Sequence, residues 1–199
     1  MDIAAVVGLG NPGREYEATR HNIGFQVIDA LAAKWRVPPF RLGRHVLSSR
    51  RGGSRPVWLV KPQDYMNLSG PAVAAFAAAE SLAPPQILVV VDDVELPLGQ
   101  LRLRSSGGAG THNGLRSLVE SLGEGFARLR LGIRGASPWR DLAEYVLAPF
   151  EDGELDTARA MVGEAVACVE MALHAGLGRA ASRYNRAPAP STPAGAASP

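Results

Sequence analysis

A chain of 199 residues, 46% of them hydrophobic and 20% charged, is long enough for one sizeable core and too ordinary in composition to be disordered throughout. Its single cysteine, Cys168, excludes an internal disulfide framework, and no apolar run is long enough to span a bilayer. A net charge of +2 excludes a uniformly basic or acidic chain, so any attraction for a polyanion has to come from how the charges are distributed.

The opening Met1-Asp2-Ile3 carries an early acid and no basic segment, which does not read as a secretory signal; the expected address is the cytoplasm. Ile3 to Val7 is a short apolar run stopped by glycine, as in a buried strand, and Gly8 to Gly13 is a turn. Phe25, Ile28, Leu31 and Ala32 recur at helical spacing within 22–35, and Pro38-Pro39 ends that helix. Strands are expected at 46–49 and 57–60, across the turn-rich Gly52-Gly53-Ser54. An alanine-rich helix is expected over 68–82, with Pro71 in its first turn, where the missing N–H costs little. The β-branched run from Ile87 to Val91, ending in Asp92-Asp93, is the best candidate for a central strand. Leu101 to Arg104 alternates like a strand with one wet face, and a glycine-rich loop over 105–110 leads to a short helix at 115–122. A further strand is expected at 129–133. A long amphipathic helix follows over 154–176, with Leu155, Val162, Val166, Val169 and Leu173 on one stripe.

Strands interleaved with helices imply an α/β sandwich, and the short step from Val91 to Leu101 leaves no room for a helical crossover, so the sheet is mixed. One domain is expected over 1–186. From Ala187 to Pro199 the sequence is Pro, Ala, Ser, Thr and Gly without charge, which reads as a disordered tail.

Charge is unevenly placed. No acid lies between Asp29 and Asp64, where Lys34, Arg36, Arg41, Arg44, Arg50, Arg51, Arg55 and Lys61 fall; a second acid-free stretch holds Arg102, Arg104 and Arg116. Such separation can build one basic face on a nearly neutral molecule, or only a solvated arginine-rich surface.

Gly8-Leu9-Gly10-Asn11-Pro12-Gly13 satisfies G-x-G-x-x-G, but no helix opens on it and Asp29 lies within a helix rather than at a strand end, which argues against a nicotinamide cofactor. His21 by itself reads as a helix-start residue. Its company carries more weight: Asp92 ends the central strand, His112-Asn113 follows the glycine-rich loop, and Asn11, Asn67 and Asn113 all fall in strand-to-helix loops. A histidine can take a proton from water, a carboxylate can fix its tautomer, and carboxamides can donate to an oxyanion. No G-x-S-x-G elbow, H-E-x-x-H or paired-cysteine spacing is present, so neither a serine nucleophile nor a metal is expected, and Cys168 reads as core.

With these stretches in order, the sequence resembles bacterial peptidyl-tRNA hydrolases. The matching pieces are 8–13; Thr19-Arg20-His21-Asn22-Ile23-Gly24-Phe25; Lys61-Pro62 with Tyr65-Met66-Asn67-Leu68-Ser69-Gly70; Asp92-Asp93 with Leu96-Pro97-Leu98-Gly99; Gly107-Gly108 with His112-Asn113-Gly114-Leu115; and 128–133. The resemblance implies a three-layer α/β/α sandwich around a mixed, mostly parallel twisted sheet, and ester hydrolysis of peptidyl-tRNA by a monomer without cofactor. It implies that His21 is the general base on water, that Asp92 supports it, and that Asn11, Asn67 and Asn113 contact the peptide and the scissile ester. Asn11 would help to favour blocked over free aminoacyl groups. Tyr16, Tyr65 and Met66 would line the groove for the tRNA 3′ end and the peptide, with His112 beside them, and Arg102, Arg104 and Arg130 would clamp a tRNA phosphate. Three positions depart from the family pattern: Asp64 for threonine, Glu95 for aspartate, and Thr111 for glycine, the last of which could narrow the loop or restrict its φ. The alternative is a non-catalytic RNA-binding relative of the same fold; the intact His21 and Asp92 favour the enzyme.

Overall fold

The computed structural model describes residues 2–185, so the expected tail over 187–199 lies outside the described residues. Seven strands form one sheet in the order β2-β3-β4-β1-β5-β7-β6. They are β1 (Ala5–Gly8), β2 (Arg41–Leu42), β3 (Val46–Arg51), β4 (Val57–Pro62), β5 (Ile87–Pro97), β6 (Leu101–Arg104) and β7 (Ala127–Arg134). The four central strands, β4, β1, β5 and β7, run parallel; β6 pairs antiparallel with β7, and β2 and β3 form an antiparallel edge. This is the mixed sheet expected from the short step between β5 and β6.

Helices α1 (Ile23–Trp35), α5 (Leu155–Ala175) and α6 (Leu177–Tyr184) cover one face of the sheet, and α2 (Ser69–Ala79) and α3 (Asn113–Leu122) cover the other. Two apolar cores result. Val6, Leu88, Val90, Leu129 and Leu131 face Ile28 and Val169, while Val7, Val89 and Val91 face Val73 and Leu118. The opposite destinations of Val89 and Val90 follow from the twofold side-chain alternation of a strand, and burial on both faces is why this run reads as continuously apolar.

Three observed elements were not expected: the two-residue strand β2, α4 (Leu142–Leu147), and α6. The strand β5 also continues past Val91 to Pro97, with a register shift between Asp93 and Pro97. On α5 the buried residues are Ala158, Met161, Ala165, Val166, Cys168, Val169 and Ala172; of the expected stripe, Val166 and Val169 are among them, whereas Leu155, Val162 and Leu173 sit at its margins. Alanines and Cys168 make up much of that buried face, which a count of large apolar residues does not reveal.

Candidate active site

The parallel strands end on one side of the sheet, where loops after β1 and β4 and the last residues of β5 converge. Ligand sites in open α/β sheets lie at this end. A cleft of about 550 Å³ opens there, lined by Asn11, Tyr16, His21, Tyr65, Met66, Asn67, Asp92, His112, Asn113 and Arg130, among others. Every expected site residue except Arg102 and Arg104 borders it.

His21 reaches the cleft because α1 begins almost in contact with β1. A Cβ on Gly24 would lie 2.4 Å from the Leu9 carbonyl oxygen and 2.6 Å from that of Val90, and a Cβ on Gly8 would lie 2.3 Å from the Gly24 oxygen. Glycine at both positions lets the backbones approach, and the helical turn 20–22 just before α1 then presents His21 over β5.

Asp92 is 1% exposed and is bonded to two histidines. His21 Nδ1 lies 3.0 Å from each of its carboxylate oxygens, and His112 Nε2 lies 2.9 Å from Oδ1. Burial alone would raise the Asp92 carboxyl, but the positive charge that His112 and His21 carry when protonated, and their hydrogen bonds, outweigh it and hold the group well below the usual carboxylate range. An ionised Asp92 accepts only, so His21 carries its proton on Nδ1 and leaves Nε2 with a free lone pair. The tautomer of His112 is fixed from the other side. Its Nδ1 accepts the Leu115 N–H at 3.2 Å, capping α3, which places the proton on Nε2, donating to Asp92.

His21, Asp92 and His112 also place three potential ligand atoms within 4.8 Å of one another. To ligate a cation through Nε2, His112 would have to be unprotonated there while accepting the Leu115 N–H at Nδ1, which a neutral imidazole cannot do. The hydrogen bonding fits an oriented base better than a metal centre.

The carboxamides are equally constrained. Asn11 Oδ1 accepts the Met66 N–H at 2.8 Å, so its Nδ2 is the end left over for a ligand. Asn22, 1% exposed, holds the Asn11 backbone at both ends: its Oδ1 accepts the Asn11 N–H at 2.8 Å and its Nδ2 donates to the Asn11 carbonyl at 2.9 Å. Asn67 and Asn113 are exposed at the rim, and Asn113 Oδ1 accepts from Arg116 at 3.3 Å. Helix α4 adds the apolar side chains of Leu142, Ala143, Val146 and Leu147 to the cleft lining. Tyr65, 59% exposed, faces solvent at the cleft margin.

The family model of the peptidyl-tRNA hydrolases matches residues 5–192. The chain belongs to the peptidyl-tRNA hydrolase family. A peptidyl-tRNA hydrolase of Aquifex aeolicus is 46% identical over 176 residues, 87% of this chain and 91% of that protein. One from Gloeobacter violaceus is 44% identical over 189 residues, covering 93% and 95%. The crystal structure of peptidyl-tRNA hydrolase from Acinetobacter baumannii superposes with a TM-score of 0.85 at 34% identity, covering 92% of this chain and 94% of that one.

The arginines divide differently from expectation. Arg102 and Arg104 are exposed on the edge strand β6, alternating with buried Leu101 and Leu103, and do not border the cleft. Arg130 does border it, but its guanidinium is paired with Asp93 at 3.1 Å and donates to the Gly108 and Ala109 carbonyls. Its neighbour Arg128, 1% exposed, donates to the carbonyls of Gly107, Gly108, Glu124 and Phe126. Together the two stitch the glycine-rich loop along β7 and so deliver His112 to Asp92. The two acid-free stretches do not form one basic face. Arg41, Arg50 and Arg51 lie on β2 and β3 at one edge of the sheet and Arg102 and Arg104 on β6 at the other, with six strand spacings or about 29 Å between β2 and β6, whereas Lys61 lies on β4 and Arg116 on α3. Much of the first is also locally partnered: Lys34 with Glu170, Lys61 with Asp29, Arg50 over Trp58 and Arg51 over Trp35.

The departures from the family pattern are accommodated. Asp64 pairs with His45 at 3.1 Å, and the Glu95 N–H donates to Asp93. Thr111 does not adopt positive φ; the left-handed residue is Gly110, at φ 61°, immediately before it. The expected restriction of φ at Thr111 therefore does not arise. Sequence reasoning passed over Asn22, Arg128 and α4. For α4 a signal was present: Asp141 caps it by accepting from Ala143 and Glu144, and Leu142 and Val146 are four apart.

Proposed function

We propose that the protein hydrolyses the ester between a peptide, or an N-blocked amino acid, and the 3′ end of tRNA, with His21 as the base that activates water. The observation that carries this is the contact of His21 Nδ1 with both oxygens of the buried Asp92, which assigns the ring proton to Nδ1 and makes Nε2 the basic atom at the cleft. Water bound at Nε2 attacks the ester carbonyl as its proton passes to His21. Asp92 stabilises the imidazolium without taking the proton. The Asn11 and Asn113 amides are the donors available to the oxyanion. Collapse breaks the bond to the ribose oxygen, which takes the proton from His21, leaving a free peptide acid and a tRNA hydroxyl. Tyr16, Tyr65, Met66, Asn67 and the α4 side chains would hold the peptide and the terminal nucleotide. Arg102 and Arg104 would take a backbone phosphate at the β6 edge, with Arg130 shaping the loop between them and the cleft. The reading includes a monomer acting in the cytoplasm; among the described residues no helix is long and apolar enough to cross a membrane.

The test is release of N-acetyl-aminoacyl groups from tRNA by the wild-type chain and by His21→Ala. The variant is expected to lose about 10³-fold or more in kcat, the scale of positioned base catalysis, while keeping tRNA affinity. A variant that retains most of its turnover excludes His21 as the base. A wild-type chain that binds tRNA and never cleaves it is the RNA-binding relative instead.

A further inference from the structure

Arg20 precedes His21 and is only 2% exposed. Its guanidinium is stacked between Tyr145, 4.5 Å to the ring centre, and Phe150, at 4.9 Å, and its Nη1 lies 2.7 Å from Glu154 Oε2. The pairing is ionic rather than well aligned: neither Nη1 nor Nε has a hydrogen-bond partner among the described residues. Burying a cation this way is costly and contributes little net stability, since a tightly packed apolar side chain would serve the core as well. What the arrangement does supply is geometry. The Arg20 N–H donates to the Ala148 carbonyl at 3.0 Å, and Thr19 bridges to Pro149, so the turn that presents His21 is fastened to the joint between α4 and α5 on three sides. Both anchors are themselves fixed. The Tyr145 hydroxyl donates to the Ile133 carbonyl at 2.7 Å and accepts the Gly135 N–H at 2.8 Å, and Glu154 Oε2 also accepts the Glu151 N–H.

We infer that Arg20 is a positioning residue of the reaction: it clamps the 20–22 turn against Tyr145, Phe150 and Glu154, so that the His21 ring meets Asp92 at the distance and angle the base needs. Arg20 is absent from the lining of the cleft, so it acts through His21 and touches no substrate. This rests on the hydrolase reading for its consequence, but the clamp itself can be read without substrate.

The experiment compares wild type, Arg20→Met and Glu154→Gln. Methionine fills the space between the two rings without charge; glutamine keeps an acceptor for the Glu151 N–H but not the ion pair. Three quantities are read: the cooperativity of the thermal melt, kcat against KM on N-acetyl-aminoacyl-tRNA, and the imidazole N–H resonances of His21 and His112 in labelled protein. The expected result for Arg20→Met is a cooperative melt, kcat lower by about 10- to 100-fold, as for a displaced catalytic group, KM changed less than about threefold, and the His21 resonance displaced while that of His112 stays. A folded variant with kcat within about twofold of wild type and an unmoved His21 resonance overturns the inference. So does a loss of kcat in which both histidine resonances vanish together, which would be general damage. Should Arg20→Met fail to fold, Glu154→Gln decides alone: a fall in kcat with a moved His21 resonance supports the clamp, and unchanged values overturn it. A wild-type chain with no turnover would defeat the hydrolase reading while the resonances still report on the clamp.

Discussion

Replacing Asn22 by alanine isolates how the backbone aims Asn11. The side chain is 1% exposed and makes two short bonds to one residue, 2.8 Å from the Asn11 N–H and 2.9 Å to its carbonyl. Truncation leaves a donor and an acceptor unpartnered in a dry place, each costing about 1–3 kcal/mol, so the loss should be about 3 kcal/mol in all. That is a large part of a typical margin of about 5–15 kcal/mol and should lower Tm by about 6–12 °C for a chain of this size. The effect should also reach the cleft, because Asn11 Oδ1 is tied to the Met66 N–H; about a tenfold fall in kcat/KM is expected as Nδ2 loses its direction. Asn22→Asp sharpens the test, since an ionised aspartate can still accept from the Asn11 N–H but faces its carbonyl with a second acceptor. Thermal and urea melts, with turnover on N-acetyl-aminoacyl-tRNA, give both quantities. An Asn22→Ala protein that melts within about 2 °C of wild type, with kcat/KM unchanged, would refute the reasoning.

Arg104→Ala should weaken tRNA binding and reduce the slope of log K against log salt by about 0.9, one phosphate contact, whereas Arg41→Ala at the opposite edge of the sheet should leave the slope unchanged. Equal effects of the two would place the RNA elsewhere. The Cys168 thiol is pushed up to about 12, first by burial and then by the charge of Glu164. Because the folded state favours the protonated thiol, its contribution is full below the ordinary value of about 8.5 and is lost as pH rises toward the folded one. A disulfide reagent at neutral pH should therefore label Cys168 only as fast as the protein unfolds. For Asp92 the sign is opposite: its folded value is depressed, so its contribution is present above the ordinary carboxylate value of about 3.9 and is lost as pH falls through the folded value. Asp92→Asn should lower stability at pH 7 and flatten the acid limb of urea-derived stability; an unchanged acid limb would mean that other carboxylates set it.

The strands that build the centre of the sheet were legible because burial on both faces demands continuous apolar runs, and Ile87 to Val91 is such a run. Asp92 was legible for the complementary reason, since an acid ending that run has to lie where the sheet meets a polar cleft. What escaped was carried by residues that act on backbone rather than by pattern. Asn22 sits inside a motif that was read, yet nothing in a string of residues shows that its carboxamide binds the Asn11 main chain. Arg128 and Arg130 alternate with Leu129 and Leu131 along β7, and nothing in that alternation shows that the returning glycine-rich loop uses their donors. Charge clustering left two readings open for a related reason. Acid-free stretches are contiguous along the chain, but the fold spreads them over both edges of the sheet, β4 and α3, and Glu170 and Asp29 neutralise part of the first from distant positions.

The direction of the carboxamides bears on which substrates such a site could accept. Asn11 has its oxygen committed to a backbone N–H, and Asn113 has its oxygen beside Arg116, which leaves the amide N–H groups of both available to a ligand. His112 is likewise a donor, through Nε2, but to Asp92 and away from the substrate. On the proposed reading, the two amide donors suit an N-blocked group, whose amide carbonyl is an acceptor, and oppose a free α-ammonium, which brings further donors and a positive charge against them. Sites built around fixed hydrogen bonds reject the mismatched ligand strongly because their own buried groups are left unpaired. The selectivity for blocked aminoacyl groups then needs no dedicated pocket for the blocking group. It follows from the two bonds, Asn22 to the Asn11 backbone and Met66 N–H to Asn11 Oδ1, that leave this carboxamide only one way to face.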